Sequence, residues 1–265
     1  MKKFGILFGL VSLFIACADE PKKENKKETD ESLKFTTETI EKSLDDCSPE
    51  GGECTFISLN FPMAEGTGFP AVRINKQIVL FLNNTIDYQE EAGIKSPADL
   101  AENFITNYQE TAKEFSEYEL PWEATINGKV NYYSDEIISI RFRSNMFTGG
   151  AHGYESINFL NFDPKTGNFL KTKDLFSEDF IDYVEKDFRE KNNIPENENI
   201  NSTGMFFEND SFHLPQNIGI TADQVILHYN AYEIAPYASG NFRLVYPKTE
   251  ISEYLAIGSE KEMEN

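Results

Sequence analysis

The residues with chemistry to offer sit in two short stretches. The first is Phe147-Thr148-Gly149-Gly150-Ala151-His152-Gly153. Its glycines free the backbone for positive φ or for close approach to another group. His152 carries the side chain that titrates nearest neutrality, so it can donate or accept a hydrogen bond to a ligand, or tie two strands together. The second is Tyr232-Glu233-Ile234-Ala235-Pro236-Tyr237-Ala238-Ser239-Gly240. Tyr232 and Tyr237 pair apolar bodies with polar tips, and Glu233 suits a sugar or a basic side chain. Thr148, Gly149, Gly150, His152, Gly153, Tyr232, Glu233 and Tyr237 are therefore the candidate binding residues. They are expected to lie near each other on one face.

No catalytic residue is nominated. No nucleophile or acidic dyad stands beside His152, and no Walker motif, dinucleotide fingerprint or Gly-x-Ser-x-Gly elbow occurs. Glycosidase chemistry needs two carboxylates at a set separation, but among 45 acids some pair always qualifies. A hairpin centred near 220–221 could bring His213 and His228 face to face. Pro215 interrupts that ladder and no carboxylate spacing matches, so neither a metal nor a cofactor is expected.

The elements that must position these stretches can be read from period. Lys34 to Thr39 reads as an opening strand and Thr55 to Phe61 as a second, ended by Pro62. Val72, Asn75, Ile78, Val79, Leu82 and Ile86 follow helical spacing. Ser96-Pro97 opens another helix, with Leu100, Phe104, Tyr108, Ala112 and Phe115 as its stripe. Strands return over 124–133 and from Ile138, where Ile138, Ile140 and Phe142 alternate with Ser139, Arg141 and Arg143 to give one buried and one wet face, with Met146 continuing the buried set. Tyr154 to Phe162 is a further strand, and Asp163 to Gly167 a turn that returns Asn168-Phe169-Leu170 beside it. Ser177 caps a helix faced by Phe180, Ile181, Val184 and Phe188. Residues 216–220 and 224–229 read as a hairpin, and 241–246 as a last strand, with Pro247 opening a short helix. The sum is an α+β chain of two subdomains, each a mainly antiparallel sheet packed with helices and joined near 120–125.

The chain has 265 residues and a formal charge of −21, which repels nucleic acid and anionic lipid. Lys2-Lys3 followed by the short apolar run Phe4 to Ile15 is a signal peptide, too short to span a bilayer in the mature protein. Leu13-Phe14-Ile15-Ala16-Cys17 resembles the lipobox of bacterial lipoproteins, which implies that Cys17 is lipidated. Loss of Lys2 and Lys3 leaves 45 acids against 22 bases, a charge of −23. Asp19-Glu20 resembles the surface-export signal of Bacteroidetes lipoproteins. The expected layout is 1–16 signal peptide, 17–31 charged tether, 32–122 and 123–258 the two α+β domains, and 259–265 an acidic tail. Cys47 and Cys54 flank Pro49 and Gly51-Gly52. In an envelope compartment such a pair is by default a disulfide, a two-cysteine metal site being the weaker alternative.

Two motifs resemble a family. Residues 147–153 with Asn161-Phe162-Asp163, Thr166-Gly167 and Leu175-Phe176, then residues 232–240 with a strand and Pro247, are similar to the hallmarks of the PdaC/RsiV family. The likeness covers about 32–258. Members include the extracytoplasmic part of a lysozyme-sensing anti-sigma-V factor and the non-catalytic region of a peptidoglycan deacetylase. No sigma-binding segment and no deacetylase domain is read in this sequence, so neither activity is expected to carry over. The resemblance implies a non-enzymatic envelope lipoprotein that binds a lysozyme-like basic enzyme or a cell-wall glycan, with the lipid anchor expected to hold it to the outer membrane, periplasmic or surface-exposed. The alternative is a hydrolase acting on peptidoglycan or another glycan.

Overall fold

The structure, a computed structural model, describes residues 33–87, 93–115 and 120–257. Cys17, the signal peptide, the tether and the acidic tail lie outside the described residues. The chain order is β1 (Phe35–Ser43), β2 (Phe56–Ala64), α1 (Phe69–Ile86), α2 (Pro97–Glu114), β3 (Glu123–Tyr133), β4 (Ile138–Phe147) and β5 (Tyr154–Phe162), which build the first sheet and its helices. α3 (Thr172–Leu175), α4 (Asp179–Lys191), β6 (Asn217–Ile220), β7 (Gln224–Tyr229) and β8 (Phe242–Pro247) follow and carry the second sheet. The fold is α+β with two subdomains.

The first sheet has the order β1-β2-β3-β4-β5. Its neighbours are antiparallel except β2 and β3, which run parallel from Phe56↔Glu123 to Asn60↔Asn127. A parallel pair needs a long crossover, and α1 and α2 supply it. The division drawn from sequence at 122/123 falls inside this sheet, because β3 lies directly beside β2. Ile57, Leu59 and Phe61 of β2 and Ile138, Ile140 and Phe142 of β4 are fully buried beneath the helices. Ser96 caps α2 by accepting the Asp99 N–H at 3.2 Å, with Pro97 at the first helical position.

Several element readings need correction. The buried stripe of α1 is Ala71, Ile74, Ile78 and Leu82, while Val72 is 53% exposed on the flank of that stripe. Phe115, placed in the α2 stripe, lies past the helix end and is 57% exposed. Pro62 does not end β2, which continues to Ala64. The Leu44 N–H donates to Thr55 and the Glu65 N–H to Lys34, and this ladder makes Thr37↔Pro62 a non-hydrogen-bonded pair. Pro62 nitrogen thus faces away from β1, on the side where pairing with β3 has already stopped at Asn60. Its missing donor costs no ladder bond.

The second sheet has the order β6-β7-β8, all antiparallel. Phe180, Val184 and Phe188 of α4 bury against Val225, Leu227 and Tyr229 of β7 within one core. Ser177 gives only its carbonyl, to the Phe180 N–H at 3.2 Å; the N-cap of α4 is Glu178, without a side-chain bond. Pro247 ends β8, and the short helix that follows is a 3-10 turn over Ser252–Tyr254.

The face of β4 expected to be wet is covered at one end by β6. Ser139 is fully buried, and its hydroxyl accepts the Ile220 N–H at 3.2 Å. Asn131 donates to the Ile220 carbonyl at 3.0 Å and Asn161 to the Ile218 carbonyl at 2.7 Å. Gly219 permits this approach: a Cβ there would stand 2.5 Å from the Phe159 ring. Helices α1 and α2 therefore pack on one face of the first sheet, and the second sheet packs on the other.

Candidate functional site

The turn between β4 and β5 meets the segment after β7. The His152 ring stacks on Tyr237 with centroids 3.9 Å apart and planes 15° from parallel. Tyr232 completes a three-ring group, 5.4 Å from Tyr237 and 6.4 Å from His152. The Tyr237 hydroxyl donates to the Gly153 carbonyl at 3.3 Å. Gly149 and Gly150 both take φ of 95°, and a Cβ on Gly153 would stand 3.1 Å from the Met146 carbonyl. The glycines thus shape the turn that presents His152. Tyr232 holds a φ of 69°, a strained geometry for a bulky side chain, and remains 53% exposed.

Beside this group, on the helix face of the sheet, lies a cleft of about 400 Å³. Its floor is the cross-strand pair Ser144 and Ser156, with Asn158 next to them on β5. Asn84 and Thr85 of α1 form one wall, and Thr148, Gly149, His152 and Tyr154 the other. Met146 contributes the apolar patch, and none of the ten lining residues is Asp, Glu, Lys or Arg. Asn158 donates to the Ser156 hydroxyl at 3.0 Å. The Ser144 hydroxyl is different: the residue is 2% exposed and its oxygen has no hydrogen-bond partner. A buried hydroxyl without a partner is costly to keep. Ser144 lines the cleft but its oxygen is closed to solvent, so a ligand atom would reach it only after the side chain turns about χ1.

Glu233 is turned into its own loop. Its carboxylate accepts the Asn230 N–H at 2.9 Å and also the Gln216 N–H. Burial pushes its carboxyl above the usual range, against the pull of those two N–H groups and of His213. Burial and then the Glu233 charge raise the Tyr154 phenol. His213 packs beside Phe207 and Tyr229, whereas His228, next to Tyr229 along β7, points to the opposite face of the strand. Among the described residues no three His, Cys, Asp or Glu side chains gather as a metal site. Cys47 and Cys54 are joined as a disulfide, Cα atoms 5.6 Å apart.

Comparison with known proteins places these parts. Residues 49–155 match the family model described as deacetylase PdaC, and residues 173–249 match a protein of unknown function, DUF3298. The chain joins a PdaC-like domain to a DUF3298-like domain. Both are consistent with a PdaC/RsiV-like family. A DUF3298 family member from Bacteroides fragilis aligns with a TM-score of 0.58 at 19% identity, covering 84% of this chain and 94% of that one. A DUF3298 family protein from Pseudomonas aeruginosa aligns with a TM-score of 0.56 at 19% identity, with the same coverage. These likenesses show a shared fold. No curated protein matches the chain.

The His152–Tyr237 stack therefore joins the two matched domains: the PdaC-like match contains His152 and the DUF3298-like match contains Tyr237. Sequence reading missed Asn84, Thr85, Ser144, Ser156 and Asn158, which carry no motif. A signal was nonetheless present: Ser144 interrupts the inward-facing series Ile138, Ile140, Phe142 and Met146, where an apolar residue would continue the pattern.

Proposed function

We propose that this protein is a non-enzymatic cell-envelope lipoprotein, anchored through Cys17, that holds a cell-wall glycan in the cleft beside His152. The observation that carries the reading is the unpartnered Ser144 hydroxyl on the floor of an uncharged cleft lined by hydroxyls and amides. Hydroxyls and amides both donate and accept, as a polyhydroxylated ligand does. The exposed rings of His152, Tyr237 and Tyr232 offer apolar faces on which a sugar ring can lie. A hydrolase would need carboxylates flanking the scissile bond, and the cleft lining offers none among the described residues. Binding of a basic protein draws support from the net charge of −21, but Glu233 spends its carboxylate inside its own turn.

The test is glycan affinity in Ser144→Ala and His152→Ala, read beside the thermal midpoint. Ser144→Ala removes an unsatisfied polar atom, so the midpoint should hold or rise while affinity falls about three- to tenfold. His152→Ala should weaken binding with little change in midpoint, because the ring lies on the surface. Unchanged affinity in both variants would place the ligand elsewhere.

A further inference from the structure

The cleft beside His152 does not stand alone. Thr148 also lines a second cleft, of about 300 Å³, between the end of α1 and α2, with Trp122, Asn103 and Asn107 in its walls together with the acidic side chains of Asp87, Glu110 and Glu114. At the other end, Asn158 also lines a third cleft, of about 500 Å³, that reaches Phe169 and Gln216 at the β5 edge. α1 passes all three in order: Phe81 belongs to the third cleft, Asn84 and Thr85 to the central one, and Ile86 to the second. Along β5, Tyr154 in the central cleft and Leu160 in the third are about 20 Å apart at ordinary strand rise.

Resting on the glycan reading above, we infer that these clefts form one groove, and that its ligand is an unbranched neutral glycan strand of several sugar units rather than a single sugar. Three features support this. The shared residues Thr148 and Asn158 make the clefts adjacent. An aromatic surface recurs along the line: Trp122 at one end, His152 in the middle and Phe169 at the other. Amides recur between them, from Asn103 and Asn107 through Asn84 and Asn158 to Gln216 and Asn217, while charged side chains line only the end clefts, Asp87, Glu110 and Glu114 in the second and Lys171 in the third, an acidic excess that disfavours an anionic strand. A linear glycan presents the same alternation, apolar ring faces separated by rims of hydroxyls. A compact ligand filling only the central cleft would leave both end clefts unused.

The test is titration of the full chain with N-acetylglucosamine oligomers, from monosaccharide to hexasaccharide. Affinity should tighten about three- to tenfold with each unit to the tetrasaccharide and then level, as each unit gains one or two net hydrogen bonds. The double variant Asn107→Ala/Gln216→Ala changes two exposed side chains, one at each end of the groove, so it should fold normally. It should bind the disaccharide as the parent does and lose the gain with length. If short oligomers bind, Ser144→Ala weakens them, and length adds nothing, the extended groove is overturned and the central site stands. If no oligomer binds at any length, both readings are overturned.

Discussion

Asn230, 6% exposed, donates from Nδ2 to the Ile157 carbonyl at 3.1 Å and accepts the Ile157 N–H at 2.8 Å. Ile157 lies on β5, the edge strand, so one side-chain amide takes the place of a neighbouring strand. Asn75 pairs with Ala64 in the same two-way manner, Asn83 with Lys95, and Asn201 with Phe207. Asn230→Asp keeps the shape but loses the donor and buries a charge; chemical denaturation should show a loss of about 2 kcal/mol or more. None of these roles was legible, because asparagine in a sequence reads as a turn residue and its distant partner is invisible. His228 gives a second expectation. It is 4% exposed with Nε2 unpartnered, near Asn230, Arg243 of β8 and Glu155 of β5. Burial lowers its pKa below the ordinary 6.5, so the unfolded chain takes up the proton first as pH falls. Its contribution is present above 6.5 and is lost below it. Unfolding free energy measured from about pH 7 to about pH 5 should fall less steeply in His228→Gln than in the parent. Equal slopes would show that His228 does not set this dependence. Glu233, with its raised pKa, pulls the other way, losing stability as pH rises through the carboxylate range, so the comparison must be between variant and parent.

At the scale of elements, period did well where one face was buried. Ser96-Pro97 and the spacing of Leu100 and Phe104 announce α2, and the alternation of Ile138, Ile140 and Phe142 announces β4. It failed where two layers cover a strand: Ser139 looks like a solvent residue, and only β6 packing on it shows otherwise. It also missed the parallel place of β3, since pairing partners far apart leave no local trace. The disulfide closes the connection between β1 and β2. Replacing both Cys47 and Cys54 by Ser should cost about 2.5 kcal/mol in the chain-entropy account, read as a lower urea midpoint at unchanged slope. The cleft beside His152 should keep whatever glycan affinity it has in that variant, because none of its lining residues lies between the two cysteines.

For the whole molecule, the proposed lipid on Cys17 is the feature that would decide where the protein works. Cys17→Ser should leave an unprocessed precursor that takes up no labelled fatty acid; normal processing and labelling would refute the anchor. The crossover through α1 and α2 also has a kinetic consequence. β3, β4 and β5 follow one another through short turns and can associate at once, but the β2–β3 ladder must wait until both helices have been made and packed. During synthesis β2 therefore stands for a time with an open edge, a template on which another nascent chain could add a strand. Pro62 lies on that edge with no N–H to offer, so the residue that costs the finished sheet nothing guards the unfinished one against aggregation.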